Sequence, residues 1–323
     1  MTSPAAPADR RVMVIAHTGR PEARDVAGQF CRGLSRFDIL LRLLEQEAGD
    51  LAFDVPDVEV VKPSPDAAAG CEVVVVIGGD GTILRAAELA RECDTPLLGI
   101  NLGHVGFLAE AESDDVESTI DAIVHRRYSA EERMTLEVSV YRDVEGEKEL
   151  VCSTWALNEA SVEKAARERM IELVVEIDGR PLSRWGYDGV VCATPTGSTA
   201  YNFSAGGPIV WPGVEALLMV PISAHALFAR PLVVAPASVL AIEVIGPRNG
   251  PGVLWADGRR TVDLPPGARI EVRRGRTPVR LVRLHQAPFT DRLVAKFDLP
   301  VNGWRGAAER RWRNGPNGGG PDA

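Results

Sequence analysis

The sequence predicts two domains: an α/β domain built on a parallel, doubly wound sheet, and an all-β, sandwich-like domain after it. In the first third of the chain, strand-like apolar runs alternate with helical periodicity, which is typical of a parallel sheet. Beyond residue 127 the pattern changes to several short strands separated by Asp-Gly and Pro-Gly turn signals, which indicates a sandwich or a partly closed barrel. With 323 residues the chain is long enough for two such cores.

The first domain is predicted from short apolar runs and helical segments. The runs, interpreted as strands, lie at residues 11–16, 58–61, 72–77 and 96–101. Helical spacing of apolar residues predicts one long helix over residues 21–48, with the leucines at 40, 41, 43 and 44 on its buried side. A serine cap and an acidic first turn predict another helix over residues 113–124. Strands separated by helices in this way imply the doubly wound topology.

The second domain is predicted from short segments with strand patterns, at residues 135–141, 169–177, 239–245, 253–255, 268–272 and 279–284. The chain is therefore divided into five parts. They are a disordered N-terminus (1–10), the α/β domain (11–128), the β domain (129–285), a C-terminal segment expected to pack back on the first domain (286–305) and a disordered tail (306–323). The tail is too polar and too rich in Gly and Pro to form a core.

The composition argues against several classes of protein. A formal net charge of −9 disfavours nucleic acid as a partner. No apolar run approaches the length that crosses a bilayer, and residues 1–10 lack the apolar centre of a signal peptide. The five cysteines are widely spaced without C-x-x-C pairs, which fits a reducing compartment and gives no support for zinc or disulfides. We therefore expect a cytoplasmic protein that acts without a membrane.

The most informative segment is VVVVIGGDGT at residues 73–82. Its β-branched run predicts a strand buried on both faces, and the residues after it have helical spacing. The turn at 78–82 then lies at the edge of the sheet where open α/β folds bind ligands. Its three glycines allow close approach of a phosphate, and the start of a helix offers N–H groups to an anion. Neither the P-loop pattern nor the dinucleotide G-x-G-x-x-G is present.

Asp80 distinguishes this loop from other glycine turns. A carboxylate beside phosphates is electrostatically unfavourable unless it binds a metal or accepts a proton from an attacking hydroxyl. The structural alternative is that Asp80 is the N-cap of the following helix.

Two further segments carry polar groups suited to a ligand. Asn158 and Glu159 follow an apolar lead-in, and a carboxamide beside a carboxylate can hold a ribose through paired hydrogen bonds; an exposed turn is the alternative. The block DGVVCATPTGSTAYNFSAGGP at residues 188–208 leads from a strand into a loop dense in hydroxyls and glycines. Such a loop can bind the polar edges of a ligand, with Tyr201 as an aromatic face and Asp188 as a partner for a hydroxyl or an amide.

With these three segments in this order, the chain resembles the bacterial ATP–NAD kinases. The match continues through the Pro-rich lead at residues 221–233 and Asp257-Gly258. GGDGT alone is also found in lipid kinases and phosphofructokinases, but lipid kinases carry Asn-Glu almost directly after the loop, and neither group explains the block at 188–208. Arg85 in the following helix and the Arg-rich composition are typical of actinobacterial members.

The resemblance implies transfer of the γ-phosphoryl group of ATP to the 2′-hydroxyl of the adenosine ribose of NAD⁺, giving NADP⁺. It implies Mg²⁺ or Mn²⁺ carried by ATP without a dedicated protein site, a homodimer or homotetramer formed through the β domain, and inorganic polyphosphate as an open alternative donor. Asp80 is then the proton acceptor, or it acts chiefly through the metal. The implied phosphate and nucleotide contacts are Gly78, Gly79, Asp80, Gly81, Thr82 and Arg85.

The implied NAD-binding residues are Phe107, Asn158, Glu159, Arg169, Asp188, Thr196, Thr199, Ala200, Tyr201, Asn202, Phe203, Ser204 and Arg259. Asn158 and Glu159 are assigned to ribose or adenine, residues 199–204 to the adenine pocket, and Asp188 to the nicotinamide side or to a second subunit. Arg169 is a further candidate for a phosphate contact. His104 is expected to shape its loop and His225 to be structural.

Two alternative functions stay open. One is a kinase of the same superfamily that acts on a lipid or sugar hydroxyl; the absence of an apolar or basic membrane-binding stretch counts against a lipid. The other is a non-catalytic regulator that binds NAD(H). Retention of Asp80 counts against it, since a pure binding protein has no use for an acid beside phosphates.

Overall fold

The computed structural model describes residues 10–51, 55, 58–103, 106–112, 115–166, 170–224, 229–245, 250–285 and 288–301. The tail at 306–323 and most of the N-terminal segment at 1–10, both predicted to be disordered, lie outside these residues. Arg10 is the exception and begins the first strand, because its backbone pairs with that of Ile39. Within the described part of the chain, no helix is long and apolar enough to cross a membrane.

An eight-stranded sheet forms the first domain. Its strands are β1 (Arg10–Ala16), β2 (Ile39–Leu44), β3 (Val58–Val61), β4 (Val73–Ile77), β5 (Leu97–Asn101), β6 (Ala111–Glu112), β7 (Ser129–Arg133) and β20 (Val279–Arg283). Their order is β3-β2-β1-β4-β5-β20-β7, with β6 beside β5. Neighbouring strands are parallel except β20 and β7. The strand order reverses at β1, which creates a crevice at its carboxyl end.

Helices cover both faces of this sheet. They are α1 (Pro21–Leu34), α2 (Glu45–Leu51), α3 (Asp80–Ala90) and α4 (Val116–Val124). Successive residues of β1 point to opposite faces, so that Val12 and Val14 join the core under α1 and α4, whereas Met13 and Ile15 join the core under α3. The predicted doubly wound α/β domain is therefore confirmed.

The prediction of one helix over residues 21–48 is wrong. The first helix ends at Leu34, and the leucines at 40, 41, 43 and 44 belong to β2, between β1 and β3. β2 is almost entirely buried, since both faces of the sheet are covered. A short apolar run fits a fully buried strand as well as it fits a helix, and periodicity alone does not separate the two.

The second domain consists of two antiparallel sheets. Its strands are β8 (Leu136–Val144), β9 (Glu147–Ala156), β10 (Glu159–Lys164), β11 (Ile171–Ile177), β12 (Arg180–Tyr187), β13 (Gly189–Ala193), β14 (Leu217–Ile222), β15 (Leu232–Val234), β16 (Leu240–Val244), β17 (Gly252–Ala256), β18 (Arg260–Leu264) and β19 (Arg269–Arg274). The sheets have the orders β15-β14-β13-β10-β17-β18 and β12-β11-β16-β19-β8-β9. One core joins their inner faces, which confirms a sandwich rather than a barrel.

The two ends of the predicted β domain belong to the first sheet. β7 and β20 lie within residues 129–285, yet they pair with each other, and β20 also pairs with β5. The boundary at residue 129 places both segments in the β domain, because strand patterns do not reveal partners that are distant in sequence. A short helix, α5 (Tyr201–Ser204), follows β13. After β20 the chain forms α6 (Phe289–Phe297), which lies against the loop after β5.

Candidate active site

The glycine loop joins β4 to α3, as the sequence predicts. Gly78 has a φ of 154°, and a Cβ at this position would lie 2.5 Å from the Thr82 hydroxyl oxygen. Gly79 is the N-cap of α3, and its carbonyl accepts the N–H groups of Thr82 and Ile83. A Cβ on Gly79 or on Gly81 would meet no atom within 4 Å. Protein packing therefore explains the first glycine, while the other two keep the backbone open to a ligand.

A cleft of about 490 Å³ lies beside this loop. It is lined by Ala16, His17, Thr18, Gly19, Arg20, Gly79, Gly81, Thr82, Arg85 and Arg259. The cleft occupies the crevice where the strand order reverses, between the carboxyl ends of β1 and β4. The sequence analysis did not identify residues 17–20. These residues directly follow β1, and β1 is the neighbour of the strand that carries the glycine loop. This position in the sequence could have indicated that they line the site.

Arg85 lies in the wall of the cleft and is anchored from behind. Its guanidinium donates to the Ala16 carbonyl at 3.1 Å and to the buried carboxylate of Glu47 at 2.5 Å. Glu47 also accepts the Ala16 N–H at 2.9 Å. Burial raises the pKa of Glu47, and the bonds from Ala16 and Arg85 oppose that shift. This pair fixes the guanidinium at the cleft and ties it to the end of β1.

Arg259 brings the second domain to the same cleft. It lies in the turn between β17 and β18, and its guanidinium donates to both carboxylate oxygens of Glu88 on α3, at 3.0 and 3.3 Å. Two parallel bonds of this kind fix direction as well as distance. Arg259, predicted among the NAD-binding residues, therefore lines the cleft beside the glycine loop.

Asp80 is the first residue of α3, and the alternative of an N-cap is wrong because Gly79 occupies that position. Its carboxylate accepts the backbone N–H of Phe107 at 3.2 Å and that of Leu108 at 3.3 Å. Gly106 lies against it, since a Cβ there would be 2.4 Å from Oδ1. The loop after β5 thus orients both carboxylate oxygens, and the side chain remains partly exposed.

Asn158 and Glu159 form no exposed turn, because both residues are buried. Asp257 holds this segment by accepting the N–H of Leu157 at 2.9 Å and that of Asn158 at 2.7 Å. Burial, reinforced by the nearby Asp257 carboxylate, raises the pKa of Glu159 to about 8. The N–H of Tyr201, at 3.3 Å from the Glu159 carboxylate, opposes this shift. Tertiary contacts alone reveal the clamping role of Asp257.

The loop after β13 packs directly on this segment. The Thr194 hydroxyl donates to the Leu157 carbonyl at 2.6 Å, and its N–H donates to the Asn158 carbonyl at 2.9 Å. A Cβ on Gly197 would lie only 1.9 Å from the Asn158 carbonyl oxygen. The fold therefore brings together the two polar segments that the sequence singled out.

Members of this loop divide into ligand-facing and structural residues. Tyr201, Phe203 and Ser204 are exposed, and Thr199 and Ala200 are partly exposed. Thr196 is buried, and Asn202 has no exposed surface. The Asn202 amide donates to the carbonyls of Ser198 and Pro208. Its predicted contact with a dinucleotide is wrong, since an enclosed side chain that holds two loop carbonyls cannot reach a ligand.

Aromatic rings connect this loop to Phe107. The ring of Phe297 on α6 lies 5.9 Å from that of Phe107 and 4.8 Å from that of Phe203. Phe289 is also 5.9 Å from Phe107. Phe107, predicted to contact the nucleotide, is buried in this cluster. The segment 286–305 is expected to pack back on the first domain, but the sequence does not single out the aromatic residues of α6.

Asp188 precedes β13 and pairs with Lys164 at 2.5 Å. Burial and the carboxylates of Glu163 and Glu159 raise the pKa of the Tyr201 hydroxyl, with a smaller contribution from Asp188. This side of the site is therefore rich in acids. Arg169, His104 and His225 lie outside the described residues.

The doubly wound sheet presents an open glycine loop and an oriented aspartate, and the second domain contributes residues to the same region. Such a fold and site define a two-domain nucleotide-binding protein equipped for phosphoryl transfer. Residues 12–128 match the ATP-NAD kinase N-terminal domain, and residues 157–284 match the ATP-NAD kinase C-terminal domain. The chain belongs to the ATP-NAD kinase family.

Individual relatives agree with this assignment. The chain is 61% identical to the NAD kinase of Thermobifida fusca over 306 residues, which cover 94% of each chain. It is 61% identical to NAD kinase 2 of Streptomyces coelicolor over 299 residues, 92% of this chain and 97% of the relative. Both relatives come from actinobacteria, as the Arg-rich composition indicates.

Solved structures show the same architecture. Yeast NADH kinase complexed with NADH superposes with a TM-score of 0.80 at 25% identity, covering 90% of this chain and 88% of that one. An NAD kinase from Archaeoglobus fulgidus in complex with ATP gives 0.66 at 25% identity, covering 90% and 98%. The chain is therefore a phosphotransferase of the NAD kinase type, and the resemblance inferred from its motifs is confirmed. None of these findings favours a lipid kinase, a sugar kinase or a non-catalytic regulator.

Proposed function

We propose that this chain transfers the γ-phosphoryl group of ATP to the 2′-hydroxyl of the adenosine ribose of NAD⁺. The observation that carries the proposal is Asp80, oriented by two N–H groups at the mouth of an open glycine loop. Phosphoryl transfer depends on positioning and on charge neutralisation rather than on covalent chemistry with the protein. An oriented carboxylate beside a phosphate cradle meets the first requirement.

The phosphates of ATP bind in the cleft beside Gly79 and Gly81. The N-terminus of α3 is directed into this space, and the guanidinium groups of Arg85 and Arg259 line it. Because Glu47 and Glu88 hold these two arginines from behind, their positions are set before the nucleotide arrives. The Archaeoglobus neighbour, a complex with ATP, supports ATP as the nucleotide.

Asp80 accepts the proton of the attacking 2′-hydroxyl. Its two hydrogen bonds fix the plane of the carboxylate, and Gly106 leaves it room. General base catalysis of this kind requires the carboxylate within hydrogen-bond reach of the hydroxyl.

NAD⁺ binds on the acid-rich side, where Asn158, Glu159 and Tyr201 meet. A carboxyl group with a pKa of about 8 carries a proton at neutral pH, so that Glu159 can donate as well as accept a hydrogen bond to a ribose or an adenine. The Tyr201 ring offers an aromatic face. Asp188 and Lys164 follow along the same edge, toward the nicotinamide side or a second subunit. The yeast neighbour, which is complexed with NADH, supports the binding of a nicotinamide dinucleotide.

The divalent ion fits the residues present. Mg²⁺ binds through substrate phosphates, waters and one or two carboxylates, and Asp80 supplies one partly exposed carboxylate beside the cleft. The described residues hold no group of three or more His, Cys, Asp or Glu side chains arranged for a metal of their own. When bound, Mg²⁺ or Mn²⁺ neutralises charge on the transferred group. Inorganic polyphosphate stays an open alternative donor.

The proposal extends to location and assembly. Five free cysteines suit the cytoplasm. Leu182 and Trp185 are exposed on the edge strand β12, which supports a homodimer or homotetramer formed through the β domain. Light scattering coupled to size exclusion measures that assembly directly.

The activity is tested by incubating the purified protein with NAD⁺, ATP and Mg²⁺ and detecting NADP⁺ with an NADP-specific dehydrogenase. Parallel reactions contain EDTA, polyphosphate in place of ATP, or the Asp80→Asn variant. Product from the wild type and loss of product in EDTA support the proposal and the metal. Absence of product while NAD⁺ still binds contradicts the kinase activity, and absence of NAD⁺ binding contradicts the acceptor site.

A further inference from the structure

The C-terminal helix α6 contacts the loop that orients Asp80. Arg292, one turn into this helix, donates to the Phe107 carbonyl at 3.2 Å and to the Ala109 carbonyl at 2.9 Å. Its second terminal nitrogen donates to the Glu110 carboxylate at 2.5 Å. One guanidinium thus binds three acceptors on consecutive parts of a single loop.

The bond to Phe107 is directed at the peptide unit that also serves Asp80. The carbonyl of Phe107 and the N–H of Leu108 belong to the same peptide group. Arg292 donates to the oxygen of this peptide group, and the N–H of the same group, which belongs to Leu108, donates to Oδ1 of Asp80. A cation at the carbonyl polarises the peptide and strengthens the bond that its N–H makes, because hydrogen bonds in a chain reinforce one another. A continuous chain therefore leads from α6 to the carboxylate.

The origin of this chain is firmly held. The carboxylate of Glu110 has only 2% of its side-chain surface exposed and lies between Arg292 and Arg283. It also accepts the N–H of Leu284 and that of His285. On the same helix, the rings of Phe289 and Phe297 each lie 5.9 Å from the Phe107 ring. Because the ion pair and these ring contacts fix the helix, the guanidinium has little freedom to leave the two carbonyls.

We propose that Arg292 is a positioning residue for Asp80 in the phosphoryl-transfer reaction. It acts through the peptide group between Phe107 and Leu108 and touches neither nucleotide. The inference rests on the proposed function, in which Asp80 accepts the proton of the acceptor hydroxyl. Loss of Arg292 is expected to leave both substrates bound and to slow the chemical step, because small misplacements of a reacting group are costly.

Arg283 provides the matched control. It donates to the same oxygen of Glu110, at 2.7 Å, and is similarly buried, but it makes no bond to the carbonyls of Phe107 and Ala109. Its second partner is Glu131. Arg283→Gln therefore reproduces the loss of charge beside Glu110 without breaking the chain to Asp80.

The test measures the single-turnover rate of NADP⁺ formation at saturating ATP, Mg²⁺ and NAD⁺, together with the half-saturating concentration of each nucleotide. Arg292→Gln, Arg283→Gln, Asp80→Asn and the double variant of Asp80 and Arg292 are compared with the wild type, and Tm is recorded for each. Arg292→Lys keeps the charge and the aliphatic stem but loses the planar guanidinium that binds several acceptors at once. This variant replaces Arg292→Gln if Arg292→Gln fails to fold.

We expect Arg292→Gln to slow the single-turnover rate on the order of tenfold, with half-saturating concentrations within about twofold. Arg283→Gln should keep the wild-type rate even where its Tm falls. In the Asp80→Asn background, Arg292→Gln should change the residual rate by less than about twofold, because coupled residues are not additive.

Three results would overturn the inference. Equal slowing by the Arg283 and Arg292 variants would mean that Glu110 pairing alone matters. If Arg292→Gln slowed the residual rate of Asp80→Asn by the same factor as it slows the wild-type rate, Arg292 would act on a group other than Asp80. Near-normal turnover of Asp80→Asn alone would remove the base from the proposed function and the inference with it, and this result is seen without any Arg292 variant.

Discussion

The glycine loop at residues 78–82 and the loop at residues 194–202 use glycine in opposite ways. In the first, a Cβ on Gly79 or Gly81 meets open space. In the second, a Cβ on Gly197 would lie 1.9 Å from a backbone oxygen. One loop keeps its backbone bare for a ligand, and the other needs glycine so that two protein segments can touch. The presence of a glycine does not distinguish these cases, whereas the space around its Cα does.

The two regions also differ in charge. Arg20, Arg85 and Arg259 line the cleft beside the first loop, as expected for a site that receives a polyphosphate. Around Tyr201 the neighbouring groups are the carboxyl groups of Glu163 and Glu159, with Asp188 and its partner Lys164 further along. Hydroxyl groups and a positively charged nicotinamide suit this second environment. Under the proposed function, this contrast assigns the phosphates of the donor to the first region and the acceptor to the second.

Asp80→Asn is expected to have the largest effect, because it removes the proposed base while an amide oxygen can still accept one of the two N–H groups. Turnover should fall at least about a hundredfold, the usual scale for such groups. NAD⁺ binding, measured by calorimetry, should stay within a few-fold of the wild type. Turnover close to normal would show that proton transfer does not depend on Asp80.

The contrast between the two loops is tested by Gly197→Ala beside Gly81→Ala. A methyl group on Gly197 must displace backbone, so that the free energy of unfolding should fall by about 1–3 kcal/mol. Gly81 lies in the first turn of α3 with open space around it, and alanine is favoured over glycine in a helix. Urea unfolding should therefore show no loss for Gly81→Ala, while its half-saturating ATP concentration rises. Equal destabilisation of both variants would remove the distinction.

Gly106→Ala tests a glycine that fits neither case. Gly106 lies near the glycine loop, and its missing Cβ leaves room for the carboxylate of Asp80. The added methyl would displace the Asp80 carboxylate, which can rotate away at little cost in stability. We expect turnover to fall on the order of tenfold with Tm nearly unchanged. Gly213→Ala, at an exposed site with open space, is the control. Full activity of Gly106→Ala would indicate that the reaction tolerates a displaced carboxylate.

The smallest effect is expected from the titration of Glu159. Its pKa is about 8 in the folded protein, because of burial and then the Asp257 carboxylate, against about 4.5 for an ordinary glutamate. Between these values the folded state binds more protons than the unfolded state, so that the free energy of unfolding contributed by Glu159 falls as pH rises. Glu159→Gln removes this dependence.

The measurement is Tm at several pH values between 5 and 8, roughly the interval over which the two states differ. Relative to the wild type, Glu159→Gln should gain a few degrees toward the alkaline end. Glu149→Gln, exposed on β9, should run parallel to the wild type. A constant difference across the interval for Glu159→Gln would contradict the raised pKa.

Local patterns predicted the elements that lie within one strand-turn-helix unit. The run at 73–77 and the glycines after it determine β4 and the start of α3. The same kind of pattern failed at residues 39–44, where an apolar run fits a helix or a buried strand and the neighbouring strands β1 and β3 decide. It also failed at the two ends of the predicted β domain. There β20 pairs with β7 and with β5, and β5 is distant from β20 in the sequence.

For the candidate site, the motifs identified Asp80, Asn158, Glu159 and the loop after β13, but not the residues that hold them. Asp257 was noted only as part of a motif, and Arg292 not at all. Asn202 was assigned to the ligand although it is enclosed by the loop itself. A polar residue in a motif can serve the ligand or its own loop, and burial separates the two.

By itself the sequence determined the strand, the turn and the helix that present Asp80, because apolar runs, glycines and helix starts act over a few neighbouring residues. Only the tertiary structure decided what surrounds that carboxylate. Phe107 lies 27 residues from Asp80 along the chain, Asp257 lies 99 from Asn158, and Arg292 lies 185 from Phe107. Such bonds depend on where sheets and helices bring distant segments together, and no local preference encodes that distance.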